Sequence, residues 1–303
     1  MVIYYRFSSD STVNTFLQTE SSVYHIEPDD HIRGNILFSD KCSLKTTDGI
    51  VTTTIVGDAL KCDYVEGVGT EARFSAILGF RQISKTQVVV ADYDFYCLRM
   101  IDRSTLKTSP YLGSCYDITS NIKYPRNIIS NCRQPTMLFV SDRYSLYHLN
   151  TSTSPPRIHE TFSVSGGYMT QDSLTGDLYI AEGSHVTKLV YSTKQMLYIA
   201  GSQTGFKDGG FSSTEFYSLR EIAYTGSYQL FVADWGNHRL RLLDMNLNIT
   251  SSICSGIEGS QNGNLTSCAL RQPRSLLAVN NTLYIGEYLG IRLIEGELKI
   301  TFK

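Results

Sequence analysis

Several features that would point directly to a chemical activity are missing from this sequence of 303 residues. It has seven cysteines but no CxxC pair, which argues against a zinc knuckle. It also has no GxSxG, HExxH or phosphate-loop motif, so the common signatures of hydrolases, zinc proteases and nucleotide-binding loops are absent. The sequence therefore predicts no catalytic residue, no bound metal and no cofactor.

Net charge and long apolar runs are missing as well. The chain carries 27 basic and 29 acidic residues, so attraction to nucleic acid or to an anionic membrane would need a local patch. No apolar stretch approaches the roughly 18 residues that span a membrane, and the first residues, MVIYYRFSSD, lack the apolar centre of a signal peptide. We expect a chain without a membrane span, whose hydrophobic content of 42% allows a sizeable core.

The sequence contains instead an internal repeat. Residues 230–244 read LFVADWGNHRLRLLD, and residues 88–102, VVVADYDFYCLRMID, align with them without a gap. Each copy begins with β-branched and apolar residues, continues through turn residues, and ends with alternating charged and apolar residues. This pattern predicts a β-hairpin whose first strand is buried on both faces and whose second strand exposes one face to water.

Glycine-containing linkers precede three copies of the repeat, at residues 57–74, 200–216 and 255–270. Each linker has a turn-forming pair at the same distance from a following apolar residue, namely Glu66-Gly67, Asp208-Gly209 and Asn262-Gly263. Chance would not keep this register three times. The linkers therefore belong to the repeat.

The buried strand of every copy ends in an acidic residue. We call these residues the marker acids, and they are Asp40, Asp92, Asp142, Glu182, Asp234 and Glu287. They recur about every 50 residues, which gives each copy room for roughly four short strands. The sequence therefore predicts an all-β fold, a six-bladed β-propeller. Their carboxylates are expected to accept backbone N–H bonds in the hairpin turns.

The ends and the middle of the chain leave alternatives open. Residues 28–303 are predicted to form the propeller, and residues 1–27 an N-terminal segment that either completes the last blade or lies outside it. Within that segment, residues 8–22 are polar and resemble a loop. The Ser-, Thr- and Pro-rich stretch 150–166 would be a domain boundary if the chain formed two β-sandwiches. We prefer a loop between blades, because the repeat continues on both sides of it.

The fifth copy resembles the NHL repeat. The resemblance rests on Ala233-Asp234, on residues 236–241 (GNHRLR), and on the linker that runs from Asp208-Gly209 to Phe216. The second copy is similar, as are parts of the first, fourth and sixth. The resemblance implies a six-bladed propeller, in agreement with the number of copies. It does not imply one function, because propellers carry many functions on one scaffold.

Four arginines align at the start of the predicted innermost strands: Arg81, Arg126, Arg220 and Arg274. Innermost strands line the central channel of a propeller, so these guanidinium groups would form a positive ring at one channel mouth. Such a ring suits a carboxylate, a phosphate or an acidic side chain of a partner. The alternative is that each arginine pairs with an acid of a neighbouring blade or with a backbone carbonyl.

The cysteines and the glycosylation sequons give information about the cellular compartment of the protein. Six cysteines form three pairs of comparable spacing, which are either disulfides or buried thiols: Cys42 with Cys62, Cys97 with Cys115, and Cys254 with Cys268. Sequons typical of glycoproteins occur at Asn150, Asn248, Asn264 and Asn280. These features favour an extracellular or secreted glycoprotein, with the cytoplasm as the alternative.

We therefore predict a non-enzymatic binding module whose partner is a protein or a small anion. One alternative is an RNA-binding propeller that uses Tyr93, Tyr124 and Trp235 as stacking platforms. A second is a zinc-dependent lyase of the peptide-amidating type, which the family resemblance also admits. In that enzyme the inner-strand register holds zinc-binding histidines, whereas here it holds arginines and the six histidines are scattered.

Overall fold

The computed structural model describes residues 2–8, 10–112, 115, 121–164, 166–226, 228–279 and 281–301, and the structural statements below concern these residues. They form 28 β-strands and three short 3₁₀ helices, without an α-helix. None of the described helices is long and apolar enough to cross a membrane. The predicted all-β fold class is confirmed.

Six antiparallel sheets form the blades, which we number in chain order. The chain begins with β1 (Val2–Arg6) and β2 (Thr12–Gln18). Blade 1 contains β3 (Val23–Pro28), β4 (Ile36–Asp40), β5 (Ser43–Thr47) and β6 (Thr52–Gly57). Blade 2 contains β7 (Ile77–Gln82), β8 (Gln87–Asp92), β9 (Cys97–Asp102) and β10 (Lys107–Leu112). Blade 3 contains β11 (Asn127–Ser130), β12 (Met137–Ser141), β13 (Leu146–Asn150) and β14 (Arg157–Phe162).

The remaining strands continue the same order. Blade 4 contains β15 (Tyr168–Gln171), β16 (Leu178–Glu182), β17 (His185–Leu189) and β18 (Met196–Ala200). Blade 5 contains β19 (Gly209–Gly210), β20 (Leu219–Tyr224), β21 (Gln229–Asp234), β22 (Arg239–Asp244) and β23 (Ile249–Ile253). Blade 6 contains β24 (Gly263–Asn264), β25 (Ser275–Val279), β26 (Thr282–Glu287), β27 (Gly290–Glu295) and, from the N-terminus, β2. The last strand, β28 (Glu297–Thr301), pairs with β1. The six-bladed propeller is confirmed.

The N-terminal segment contains a strand where the polar sequence predicted a loop. β2 pairs with β27 and is the outermost long strand of blade 6; only the two-residue strand β24 lies beyond it. Only Val13 of β2 is fully buried, because an outer strand packs a small part of its surface and leaves the rest to water. The inner strand β3 also crosses the expected boundary between residues 27 and 28. The ordered blades therefore begin before residue 28.

In blades 2 and 5 the strand that ends in a marker acid is the most buried, as the repeat predicted. Residues Leu230 to Asp234 of β21 and Val88 to Asp92 of β8 are buried throughout. The strand that follows it is β9 in blade 2 and β22 in blade 5. Its charged residues were predicted to face water, but Arg99 and Arg241 are fully buried. A buried charge is tolerated only when it is paired and hydrogen-bonded. These arginines must therefore find acceptors inside the protein.

The chain forms two compact units, residues 19–167 with blades 1–3, and residues 1–18 with 168–303, which hold blades 4–6. In the first unit, Val88 and Val90 of β8 pack with Leu37 of blade 1, whereas Val89 packs with Val140 of blade 3. In the second unit, Val232 of blade 5 packs with Ala181 of blade 4, and Phe231 packs with Ile285 of blade 6. Alternate side chains of one strand thus enter two different cores, which explains why these strands are apolar at every position.

The glycine-containing linkers run along the outer edges of blades 2, 5 and 6. Gly209 and Gly210 pair with Thr250 and Ile249 of β23, and Gly263 pairs with Val13 of β2. In blade 2 the backbone N–H of Thr108 donates to the carbonyl of Gly67 over 2.9 Å. The linkers therefore satisfy backbone groups that an outer strand would otherwise present to solvent.

Candidate ligand-binding site

The marker acids hold the chain that enters each blade. Asp92 accepts the backbone N–H of Ser75 over 2.9 Å, and Asp234 accepts that of Tyr217 over 2.9 Å. Glu287 accepts the N–H of Arg271 over 2.8 Å. The sequence predicted bonds within the hairpin turn, but in these blades the donor lies before the inner strand.

A buried arginine forms a salt bridge with each of these three marker acids. Arg99 lies 3.0 Å from Asp92, Arg241 lies 2.6 Å from Asp234, and Arg292 lies 3.2 Å from Glu287. All three arginine side chains are 0% exposed. Each also contacts a polar residue of the preceding linker: Glu66, Asp208 and Asn262, respectively. The sequence did not lead us to predict these arginines as a structural set. A signal was present, because Arg99 and Arg241 occupy the same position of the repeat.

The other three marker acids have different partners. Asp40 pairs with Lys45 over 2.7 Å and accepts the N–H of Ser21 over 3.1 Å. Asp142 accepts the N–H groups of Tyr144 and Ser145 over 2.6 and 2.7 Å, which is the turn arrangement expected from the sequence. Glu182 ends β16, opposite His185 of β17.

The four aligned arginines have unequal surroundings. Arg81 lies on β7 and forms a salt bridge of 2.8 Å with Glu27, while its Nε donates to the hydroxyl of Ser130 over 2.9 Å. Burial of Glu27 acts to raise the pKa of its carboxyl group. The positive charge of Arg81 is the largest effect in the opposite direction, and that pKa is lowered from 4.5 to about 2. Arg81 is thus a tie between strands of blades 1, 2 and 3.

The register of Arg81 also differs from that of the other three arginines. In blades 3, 5 and 6 the residue two positions after the arginine lies opposite Val140, Val232 or Ile285. In blade 2 the equivalent partner, Val90, lies opposite Phe80, so Arg81 is further along its strand. The sequence alignment was wrong at this blade, because arginine identity was matched there instead of the distance to the marker acid.

Arg126 is partly buried, and its Nη1 donates to the backbone carbonyl of Gly166 over 3.2 Å. This contact corresponds to the backbone-carbonyl alternative that the sequence left open. The segment after Arg126 begins β11, so the residue stands at the entrance of an inner strand, as expected.

Arg220 and Arg274 both lie over the indole ring of Trp235. Their guanidinium carbons are 5.3 and 5.6 Å from the ring centroid, within the range of cation–π attraction. Trp235 follows marker acid Asp234 and begins a short 3₁₀ turn. The next residue must be glycine, because a Cβ on Gly236 would overlap the ring of Tyr217. Two positive charges therefore share one aromatic platform, which we call the Trp235 site.

The Trp235 site contains buried donors without a described acceptor. The Nε1 atom of Trp235 and the Nε atom of Arg220 are buried, and no hydrogen-bond acceptor among the described residues reaches them. Buried N–H groups without an acceptor are costly and are uncommon in native proteins. A site with cations and spare donors can hold a carboxylate or phosphate oxygen, since ionised acceptors form the stronger hydrogen bonds.

The tyrosines expected as stacking platforms are packed together. The ring of Tyr124 lies 5.2 Å from that of Tyr93 and 4.7 Å from that of Tyr96. The Tyr96 hydroxyl donates to the Tyr124 hydroxyl over 3.1 Å. Arg143 lies over two rings, 6.0 Å from the centroid of Tyr124 and 5.8 Å from that of Tyr144. The sequence pointed to two of these tyrosines but not to Arg143.

Two histidines in the described part of the chain lie together, His148 and His159, whose ring centroids are 5.8 Å apart. His148 contacts Asn131 over 2.9 Å, and His238 accepts the backbone N–H of Gln272 over 3.3 Å. His185 lies on β17. Within the described ranges no group of three or more His, Cys, Asp or Glu side chains is arranged to hold a metal ion.

The cysteine pairs suggested by spacing are disulfides in the structure. Their Cα–Cα distances are 5.4 Å for Cys42–Cys62, 5.1 Å for Cys97–Cys115 and 4.6 Å for Cys254–Cys268. Two of them have one cysteine in a glycine-containing linker: Cys62 is joined to the turn between β4 and β5, and Cys268 to Cys254, which follows β23. Among the sequons, Asn248 and Asn264 are exposed and Asn150 is partly buried, while Asn280 lies outside the described residues.

Comparisons with known proteins agree with the repeat. No protein-family model matches the chain. Among curated proteins, NHL repeat-containing protein 2 of Homo sapiens is 35% identical over 97 residues, and that of Bos taurus is 34% identical over 97 residues. The matched segment covers 31% of this chain and only 13% of each relative.

Solved structures resemble almost the whole chain. An auxiliary nutrient binding protein from Bacteroides thetaiotaomicron superposes with a TM-score of 0.72 at 12% identity, covering 96% of this chain and 77% of that one. A chain of a nidogen/laminin complex superposes with a TM-score of 0.56 at 12% identity, covering 83% and 84%. At such identities the likeness shows the fold alone.

Proposed function

We propose that this chain, an NHL-repeat six-bladed β-propeller, is a non-enzymatic binding module that takes an anionic group of a protein or small molecule at the Trp235 site. The observation that carries the proposal is the pair of buried donors, Trp235 Nε1 and Arg220 Nε, that no described acceptor reaches. An anionic oxygen would satisfy them and would also interact with both guanidinium groups over the indole ring.

The positions of the arginines limit the proposed ring. Arg220 and Arg274 carry the proposal, because they share Trp235. Arg126, at the entrance of β11, instead donates to the backbone carbonyl of Gly166. The charge of Arg81 is neutralised by Glu27.

An extracellular or secreted location is part of the proposal. Disulfides persist in oxidising compartments, and three are present among the described residues. Similar folds occur in a nutrient binding protein and in a nidogen/laminin complex. These likenesses are compatible with either a small-molecule or a protein partner.

The test is a binding measurement with citrate and octaglutamate as anionic probes. We expect the double variant Arg220→Ala, Arg274→Ala to weaken binding at least about tenfold, with a melting temperature close to that of the parent protein. Arg157→Ala is the control, because Arg157 is exposed on the outer strand β14. Unchanged affinity would overturn the proposal, and a large loss of stability would make the arginines structural ties.

RNA binding is the second candidate, and the pair of guanidinium groups at the Trp235 site is the observation that favours it, because arginines also contact the phosphates of nucleic acids. A mobility-shift assay with oligouridylate over a range of salt concentrations separates the two, since phosphate contacts give a steep salt dependence. The zinc lyase alternative is tested by metal analysis of the purified protein.

A further inference from the structure

We propose that Arg143 and the surrounding tyrosines form a second binding surface, which receives an acidic segment of a partner protein. We call it the Arg143 surface, and it consists of Tyr93, Tyr96, Lys123, Tyr124, Arg143 and Tyr144. It belongs to blades 2 and 3, whereas the Trp235 site belongs to blade 5 and the start of blade 6. It does not depend on the function proposed above.

The local fold places Arg143 at the tip of the β12–β13 hairpin, directly after marker acid Asp142. The oxygens of Asp142 accept the N–H groups of Tyr144, Ser145 and Lys123 and the hydroxyl of Tyr147, and they form no ion pair with Arg143. The structure shows no hydrogen bond or ion pair of the Arg143 guanidinium with any described side chain. The positive charge of Arg143 is thus available to a ligand.

Two tyrosine rings orient this charge. The guanidinium carbon of Arg143 lies 6.0 Å from the centroid of the Tyr124 ring and 5.8 Å from that of the Tyr144 ring, at the outer limit of cation–π attraction. Tyr124 is itself fixed by Tyr93 and Tyr96, whose rings lie 5.2 and 4.7 Å away. Arg143 is therefore presented on a packed support and can form the paired hydrogen bonds that a carboxylate accepts.

The charged residues of the Arg143 surface favour an acidic partner. The Arg143 surface carries two cations, Lys123 and Arg143, and its segments 93–96 and 142–145 carry two acids, Asp94 and Asp142. One of these acids, Asp142, is only 1% exposed, so Asp94 is the exposed one in these segments. Tyrosine and arginine are also the residues most typical of protein-binding hot spots.

A protein segment fits this surface better than RNA does. Base stacking needs an open ring face, but Arg143 lies over both Tyr124 and Tyr144. Affinity for RNA comes mainly from many phosphate contacts, and the surface offers two cations, Lys123 and Arg143. The physical features therefore favour carboxylates on a polypeptide.

The experiment measures binding of octaglutamate, with octaglutamine as the neutral reference, to the full chain carrying Arg220→Ala and Arg274→Ala. In this background the Trp235 site does not contribute. We expect Arg143→Gln to weaken octaglutamate binding about tenfold, and Arg143→Lys to weaken it several-fold, because an ammonium group lacks the planar pair of donors. Arg157→Gln, on β14 of the same blade, is the matched control and should have no effect.

Three results would overturn the proposal. The first is an affinity for octaglutamate that Arg143→Gln leaves unchanged, or the absence of measurable binding in the parent background. The second is full retention of affinity by Arg143→Lys, which would mean that a point charge is sufficient. The third is Arg143-dependent binding of oligouridylate without binding of octaglutamate, which would assign the surface to RNA. Thermal unfolding of each variant establishes that it is folded.

Discussion

Blades 2 and 3 come from the same repeat but hold their marker acids differently. In blade 2, Asp92 pairs with Arg99 over 3.0 Å, and both side chains are 0% exposed. In blade 3, Asp142 has no arginine at the equivalent position, which Tyr147 occupies with a hydroxyl 2.9 Å from the carboxylate. One blade therefore stabilises its acid with a buried charge and the other with neutral donors.

The linker explains this difference. Arg99 contacts Glu66 of the linker over 3.1 Å and donates to the carbonyl of Val65 over 2.9 Å. Arg241 and Arg292 receive the same support from Asp208 and Asn262. A buried guanidinium needs acceptors for several donors, and a blade without the linker lacks them. The buried arginine and the glycine-containing linker are therefore one unit of the repeat.

The largest effect is expected for Arg99→Met, which leaves the Asp92 carboxylate buried without its cation. Removing one partner of a buried pair costs about 3–5 kcal/mol of unfolding free energy. Urea denaturation of the oxidised protein measures this cost, with Arg157→Met as the exposed control. A loss below about 1 kcal/mol would show that the ion pair of blade 2 has no advantage over the neutral arrangement of blade 3.

Low pH should weaken a salt bridge between two blades, which joins Glu27 of blade 1 to Arg81 of blade 2 over 2.8 Å. The pKa of Glu27 is lowered from 4.5 to about 2, so its stabilisation is present above pH 4.5 and is lost as the pH falls through about 2. Glu27→Gln should be less stable at neutral pH by about 3 kcal/mol, and the difference should disappear across this range. Denaturation at successive pH values measures it. A constant difference, or an equal effect of the exposed control Glu71→Gln, would contradict the assignment.

Disulfides distinguish the linkers from one another. Cys254–Cys268 closes a separation of 14 residues and attaches the linker of blade 6, whereas the described linker of blade 5 has no cysteine. Replacing both cysteines by alanine should lower the unfolding free energy by about 3 kcal/mol, as expected for a loop of this length. Equilibrium unfolding monitored by tryptophan fluorescence measures the change. A negligible loss would mean that strand pairing alone positions the linker, as in blade 5.

The smallest effect is expected in blade 3. Tyr147→Phe removes the hydroxyl that donates to Asp142 but leaves its backbone donors in place. We expect a loss of about 1 kcal/mol, clearly less than for Arg99→Met in the same assay. Equal losses for the two variants would remove the distinction between the charged and neutral blades.

Much of the architecture could be predicted from local sequence. The spacing of the marker acids reports the number of blades, and the apolar second strands report burial on two faces. Spacing also pointed to the cysteine pairs. Two features were not accessible in this way. β2 is polar because outer strands bury little, and Arg81 matched the other arginines by identity although its strand register differs.

The candidate site was only partly predictable for a related reason. Residue types indicated cations and aromatic rings near the starts of inner strands, but their partners come from distant segments. Glu27 lies 54 positions from Arg81, and its carboxylate neutralises that charge. Arg274 and Arg220, also far apart in the chain, meet over Trp235.

The sequence by itself determined the all-β class, the six copies, the buried strands and the acids that end them, because these depend on short-range periodicity and on spacing that repeats. Only the tertiary structure decided which arginines are enclosed with acids and which lie over aromatic rings. That choice depends on side chains contributed by other blades and linkers, and no local pattern encodes which distant carboxylate reaches a given guanidinium.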